Sequence, residues 1–198
     1  MKKRNPWVSI SDLLSSVVLV LLLLFVMASI IPKYTQEAQR HQMMNQIEQT
    51  LKDYQEKGQV RINTDTGILE FTAVTFSSGS AVLNPETINI IQQLAVKLKS
   101  YMDENAMMEI LIEGHTDPAV VSAVRNEGGY FSNNIQLSTL RAANVRETLL
   151  KFMGSQYSSR IGVAGYGETR LKNTEVPLSA ENRRIELRIL WNGTNEEQ

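Results

Sequence analysis

The chain contains no cysteine, which excludes disulfide scaffolds, thiol nucleophiles and cysteine-ligated zinc. Histidine is almost as scarce. His41 and His115 are the only two, too few for a histidine-rich metal centre. Neither sign of charge dominates: 20 Lys and Arg stand against 21 Asp and Glu, a net charge of −1. Bulk charge therefore leaves no footprint for nucleic acid. A length of 198 residues suits one ordinary domain with an appendage and is too short for two full cores. No Ser–His–acid, Cys–His or metal-ligand set of any specificity can be assembled, so the chain reads as a non-enzyme without a cofactor.

What is present is uneven. From Leu13 to Ile31 the polar residues are Ser15, Ser16 and Ser29 alone, and Val17 to Ala28 is an unbroken apolar run. Counted from Trp7, residues 7–31 make about 37 Å of helix at ~1.5 Å per residue, enough to cross ~30 Å of hydrocarbon with some tilt. Lys2, Lys3 and Arg4 precede the run, while Lys33 stands alone just beyond it. The positive-inside rule then puts residues 1–6 in the cytoplasm and the rest outside it. A cleaved signal peptide is the competing reading. Against it, no clean small-x-small site follows Ala28, and the run is long for a signal. Asp12 is out of place, because an acid below the headgroups costs ~2.5–3.5 kcal/mol and usually serves a partner, a cavity or an ion path. Ser15 and Ser16, three and four residues on, share its helix face and could support an ion-carrying carboxylate. The alternative is that Asp12 only caps the helix at the interface.

Residues 32–59 read as a helical spacer, rich in Gln, Glu, Lys and Met. Met44, Ile47, Leu51 and Tyr54 recur at helical spacing, a stripe that suits pairing with a second chain or a solvated single helix. From Val60 to Trp191 the pattern is that of one domain. Thr64-Asp65-Thr66-Gly67 between Val60–Ile62 and Ile68–Phe71 signals a hairpin. Asn84-Pro85 opens a helix with Ile88, Ile91, Leu94, Ala95, Leu98 and Met102 as its buried stripe. Met108 to Glu113 is a strand, Leu137 to Phe152 a helix and Arg160 to Ala164 a strand. Arg184, Glu186 and Arg188 alternate with Ile185, Leu187 and Ile189 in a half-buried final strand. Strands interleaved with helices on one face imply an α+β sandwich. Residues 192–198 read as a frayed tail.

Four segments carry a resemblance. Phe76-Ser77-Ser78-Gly79-Ser80-Ala81-Val82-Leu83-Asn84-Pro85-Glu86 resembles the strand-to-helix opening of an OmpA-like domain. Gly114-His115-Thr116-Asp117 with Leu137-Ser138-Thr139-Leu140-Arg141-Ala142-Ala143-Asn144-Val145 resembles its central motif. Gly165-Tyr166-Gly167-Glu168 and Asn182-Arg183-Arg184-Ile185-Glu186-Leu187 resemble its closing motifs. The resemblance implies peptidoglycan binding through a stem peptide that carries diaminopimelate, a zwitterion. Its ammonium needs a carboxylate, and its carboxylates suit a bidentate guanidinium. By motif position these roles fall on Asp117 and Arg141, with Arg184 and Asn134 near the same pocket. The alternative is that Asp117 caps a loop and Arg141 decorates a helix face. His115 reads as a hydrogen-bonded structural histidine rather than a ligand.

The gap from Asp117 to Leu137 is long for an outer-membrane OmpA-like protein. Its Gly128-Gly129-Tyr130-Phe131-Ser132-Asn133-Asn134 resembles a stretch of MotB, the flagellar stator subunit. Trp7-Val8-Ser9-Ile10-Ser11-Asp12 likewise resembles MotB's membrane helix, with a tryptophan shortly before an aspartate. The serine-rich surroundings of Asp12 and the short spacer depart from the flagellar pattern and are more similar to ZorB-type subunits of Zorya anti-phage systems. The resemblance implies a homodimer in the bacterial inner membrane, inside a ring of MotA/ZorA-like polytopic subunits. Ions, protons before sodium, would pass by way of Asp12 while the outer domains grip the wall. A passive membrane-to-wall tether without ion transport is the rival.

Overall fold

The computed structural model describes residues 6–72, 76, 80–121, 124–126 and 129–191. The basic start at residues 2–4, Ser77–Gly79 of the opening motif, parts of the long gap and the tail at 192–198 lie outside them. The chain forms two compact units, Met1–Gln39 and Arg40–Gln198.

The first unit is helical, within α1 (Pro6–Thr50). Ile10–Ile31, 22 residues, is long and apolar enough to cross a membrane, with none of it buried against protein. Leu, Val, Ile and Phe side chains from Leu13 to Ile31 are all exposed, as an apolar solvent would require.

The second unit begins well before Val60. Met43, Met44, Ile47 and Leu51 are fully buried in the same core as the sheet residues Leu69, Phe71, Ile112 and Leu187. Each such side chain contributes about 1.5–3 kcal/mol by leaving water. The stripe read as a face for a second chain or for solvent is thus an inner face of the domain, and residues 40–59 belong with the sheet rather than to a spacer. Arg40 fixes this arrangement by donating to the carbonyls of Thr64 at 3.1 Å and Asp65 at 2.5 Å. Those carbonyls lie in the turn between β1 (Val60–Asn63) and β2 (Ile68–Phe71). A short helix, α2 (Lys52–Glu56), makes the connection.

The hairpin expected around Thr64–Gly67 is present, with Asn63 Oδ1 accepting from the Asp65 and Thr66 amides and Gly67 at φ +68°. Helix α3 (Pro85–Glu104) opens as its sequence dictates: Pro85 is in the first turn and the Asn84 side chain accepts from Thr87 N at 2.7 Å. Its buried stripe includes Ile90, while the expected Ile88 is only half-buried. Strand β3 (Met108–His115) follows, then the short hairpin β4 (Val124–Asn126) and β5 (Gly129–Phe131), then helix α4 (Asn134–Met153). Strands β6 (Ile161–Gly167) and β7 (Arg184–Trp191) complete the element order.

The five-stranded sheet runs β1-β2-β7-β3-β6. Only β3 and β6 are parallel, and α4 connects them. Ile185, Leu187 and Ile189 of β7 are buried in the helix-side core. Their neighbours Arg184, Glu186 and Arg188 point to the other face, by the period of two. The expected α+β sandwich is therefore the observed fold.

Candidate functional site

Helix α4 comes unusually close to the ends of β3 and β6. A Cβ at Gly114 would lie 2.0 Å from the Ser138 carbonyl oxygen, and one at Gly165 would lie 2.0 Å from Thr139 Oγ1. Both positions therefore require glycine. The Gly167 amide donates to Ser138 Oγ at 2.9 Å, and the Thr116 amide donates to the Gly167 carbonyl at 2.9 Å. These bonds tie the start of α4, the end of β6 and the segment after β3 into one rigid corner. The helix is capped there by Asn133, whose side chain accepts from Gln136 N at 2.8 Å.

Asp117 sits in that corner and is 8% exposed. Its Oδ1 accepts from the Ala119 amide at 3.3 Å, and its Oδ2 accepts from Arg183 Nη1 at 2.6 Å. Arg141, one turn beyond Ser138 on α4, is 7% exposed. Its Nε donates to the Ser80 carbonyl at 2.9 Å, and its guanidinium lies 5.0 Å from the centre of the Phe76 ring, a cation–π contact. Burial, and then the charge of Arg183, bring Arg141 down to about 10, with Asp117 opposing. Arg141 is thus still cationic near neutral pH.

Asn134 is the first residue of α4, and its Nδ2 donates to the Ala119 carbonyl at 3.0 Å. Among the described residues, Asn134 Oδ1 and Thr116 Oγ1 are buried without a hydrogen-bond partner. Unpaired buried acceptors are costly; Thr116 precedes Asp117 in the chain, and Asn134 bonds the carbonyl of Ala119, whose amide donates to Asp117. The corner can take a group rich in N–H donors beside Asp117 and an anionic group beside Arg141.

Arg184 is elsewhere. It is 9% exposed, and its Nε donates to Glu186 Oε1 at 2.7 Å on the opposite face of the sheet. The arginine that reaches Asp117 is Arg183. Strand alternation explains the exchange, because Arg183 shares the parity of the inward Ile185 while Arg184 shares that of Glu186. This parity was readable in the sequence. The contribution of Phe76 was not, since nothing local ties it to Arg141.

His115 also differs from expectation. It is 2% exposed and stacks on Tyr166 with ring centroids 5.4 Å apart, but among the described residues neither ring nitrogen has a hydrogen-bond partner. Burial, then Arg184, push it down to about 4. Glu113, His115 and Glu186 bring one donor atom each within 4.8 Å. Arg188 and Arg184 already occupy the two carboxylates, at 3.1 Å and 2.7 Å, so the cluster is charge-compensated and poorly suited to a cation.

In the helical unit Asp12 is exposed. The Ser15 hydroxyl donates to the Ser11 carbonyl and that of Ser16 to the Leu13 carbonyl, both at 2.8 Å. Those hydroxyl protons go to the helix backbone rather than to Asp12.

The OmpA family profile matches residues 75–184, more than half of the chain. The chain belongs to the OmpA family. Asp117, Arg141 and Arg183 all lie inside the OmpA match, as does the whole of the glycine-lined corner. No curated protein matches the chain. Among solved structures, a MotB-like protein from Desulfovibrio vulgaris aligns with a TM-score of 0.57 and 23% identity, over 78% of this chain and 96% of that one. The cell wall anchor of the T6SS from Pseudomonas aeruginosa aligns with a TM-score of 0.54 and 21% identity, over 73% and 96%. The periplasmic domain of Helicobacter pylori MotB aligns with a TM-score of 0.53 and 21% identity, over 68% and 80%. At these identities the likeness establishes the OmpA-like fold.

Proposed function

We propose that this chain is the peptidoglycan-anchored B subunit of a MotA/MotB-type ion-driven stator in the bacterial inner membrane. Its single spanning helix has a cytoplasmic N-terminus, and its sheet domain binds the cell wall in the periplasm. The observation that carries the reading is the pairing of two features in one chain. An apolar helix of membrane-spanning length has Asp12 near its start, and an OmpA-family corner holds Asp117 beside Arg141. In this reading Asp117 takes the ammonium of a diaminopimelate stem and Arg141 takes a carboxylate, while the unpaired Asn134 Oδ1 and Thr116 Oγ1 accept the remaining N–H groups. Two copies of the chain stand within a ring of MotA/ZorA-like subunits, and Asp12 carries protons between helix and ring. The serine-rich stretch around Asp12 favours a ZorB-type subunit of an anti-phage system over a flagellar one.

A second reading is favoured by a specific observation: the fold is equally that of a protein named as a cell wall anchor. There the chain is a passive tether, and Asp12 is only an interfacial residue. Proton flux into vesicles that contain the complex separates the two. The stator reading expects Asp12→Asn to assemble normally and to abolish flux. Undiminished flux through that variant overturns it.

A further inference from the structure

The site in this structure is not vacant of cations, because the chain supplies its own. Asp117 is the only carboxylate among the described residues that contacts Arg183, and the pair is close, at 2.6 Å. Its two ends differ sharply in environment: the Asp117 side chain is 11% exposed and that of Arg183 is 40% exposed. A buried acid is therefore covered from the solvent side by an arginine with room to leave.

The base of that arginine is fixed. Asn182, fully buried, accepts from the amides of Lys172 and Asn173, both at 2.8 Å, and donates to the Asn173 and Pro177 carbonyls at 3.0 and 2.7 Å. These bonds hold the β6–β7 connection and present Arg183 to the corner. Arg141 has no such freedom, since the Ser80 carbonyl and the Phe76 ring hold it. The two arginines thus have unequal roles.

We propose that Arg183 is a self-ligand of the wall-binding site, a latch whose guanidinium occupies the Asp117 carboxylate until a ligand ammonium displaces it. The inference rests on the wall-binding reading above and adds how that site is gated. Binding is then an exchange of one cation for another on Asp117. The charge count also sets the ligand class. One carboxylate and two guanidiniums give the closed corner a net +1, and exchange of the Arg183 guanidinium for a plain amine leaves that +1 in place. A group that brings one carboxylate with its ammonium brings the corner to zero. The latch therefore selects amino-carboxylates over plain amines.

The test uses the full-length chain in mild detergent and purified peptidoglycan sacculi, with bound protein measured by sedimentation across a sacculus titration. Removing the competing cation strengthens retention, and a partly exposed ion pair sets the gain at roughly two- to fivefold. Arg183→Gln and the equally long, apolar Arg183→Met should both show it, and Arg183→Lys should behave as the parent. A thermal melt of each variant confirms that it is folded. Unchanged retention of both neutral variants overturns the latch. So does weakened retention, which would make Arg183 a direct contact to the ligand. Failure of the parent chain itself to sediment with sacculi has a different meaning: it removes the wall-binding reading, and the latch with it.

Discussion

Asp117→Asn isolates the carboxylate's charge at nearly constant shape. In the proposed site this side chain is one half of a buried, hydrogen-bonded charge pair with a ligand ammonium. Truncating one member of such a pair costs about 2–5 kcal/mol. Asp117 belongs toward the lower end, since the arginine that covers it is 40% exposed and water reaches that side. A loss of about 2–3 kcal/mol is a 30- to 150-fold weakening, roughly, at 1.4 kcal/mol per decade. The fold should barely respond. An ion pair with one exposed partner contributes only about 0.2–1 kcal/mol, so the melting temperature should fall by at most about 2–4 °C. The assay is sedimentation of the full-length chain with purified sacculi, beside a thermal melt in the same detergent. Retention within about threefold of the parent, under 1 kcal/mol, would refute the assignment of Asp117 as the ligand's partner. A large drop in melting temperature would show instead that Asp117 is structural.

Two further outcomes follow from the packing. His115 has its folded value near 4 against 6.5 in the unfolded chain, so between those pH values the unfolded chain binds a proton that the folded chain does not. Its contribution is fully present above pH 6.5 and is lost as the pH falls toward 4, about 3 kcal/mol in all. Urea unfolding at pH 7 and pH 4 should show that loss in the parent and not in His115→Gln; equal losses contradict the burial account. Ile47→Ala should destabilise the sheet domain by about 2–5 kcal/mol, read from the same urea midpoints. No change would mean that the end of α1 is not part of the core.

Much of the fold was legible because local chemistry specified it. Asn84-Pro85 can hardly be anything but a helix start, Thr64–Gly67 is a turn by composition, and the alternation from Arg184 to Ile189 declares a strand with one wet face. The Met44–Ile47–Leu51 stripe shows where such reasoning stops. Helical spacing reports that a face is buried, but it is the same whether the cover is a second chain or the chain's own sheet. The hairpin of β4 and β5 leaves no trace in the sequence because three-residue strands carry no measurable period. At the site, Asp117 and Arg141 could be named from the motif they sit in. The motif alone does not separate Arg183 from Arg184; strand parity does, since Arg183 shares the face of the buried Ile185. The back-bonded hydroxyls of Ser15 and Ser16 were hidden for another reason: in an apolar helix a serine can turn to the carbonyl of the preceding turn, and face-sharing alone does not show which partner it takes.

The central claim is that the chain works as one part of a membrane motor that is held to the wall. The most direct measurement is the native mass and composition of the complex, purified in mild detergent from its own cells. The account predicts two copies of this chain with about five copies of a polytopic partner, a closed ring around a two-fold pair. A homodimer of this chain alone, with no polytopic partner, would contradict it and leave a wall tether.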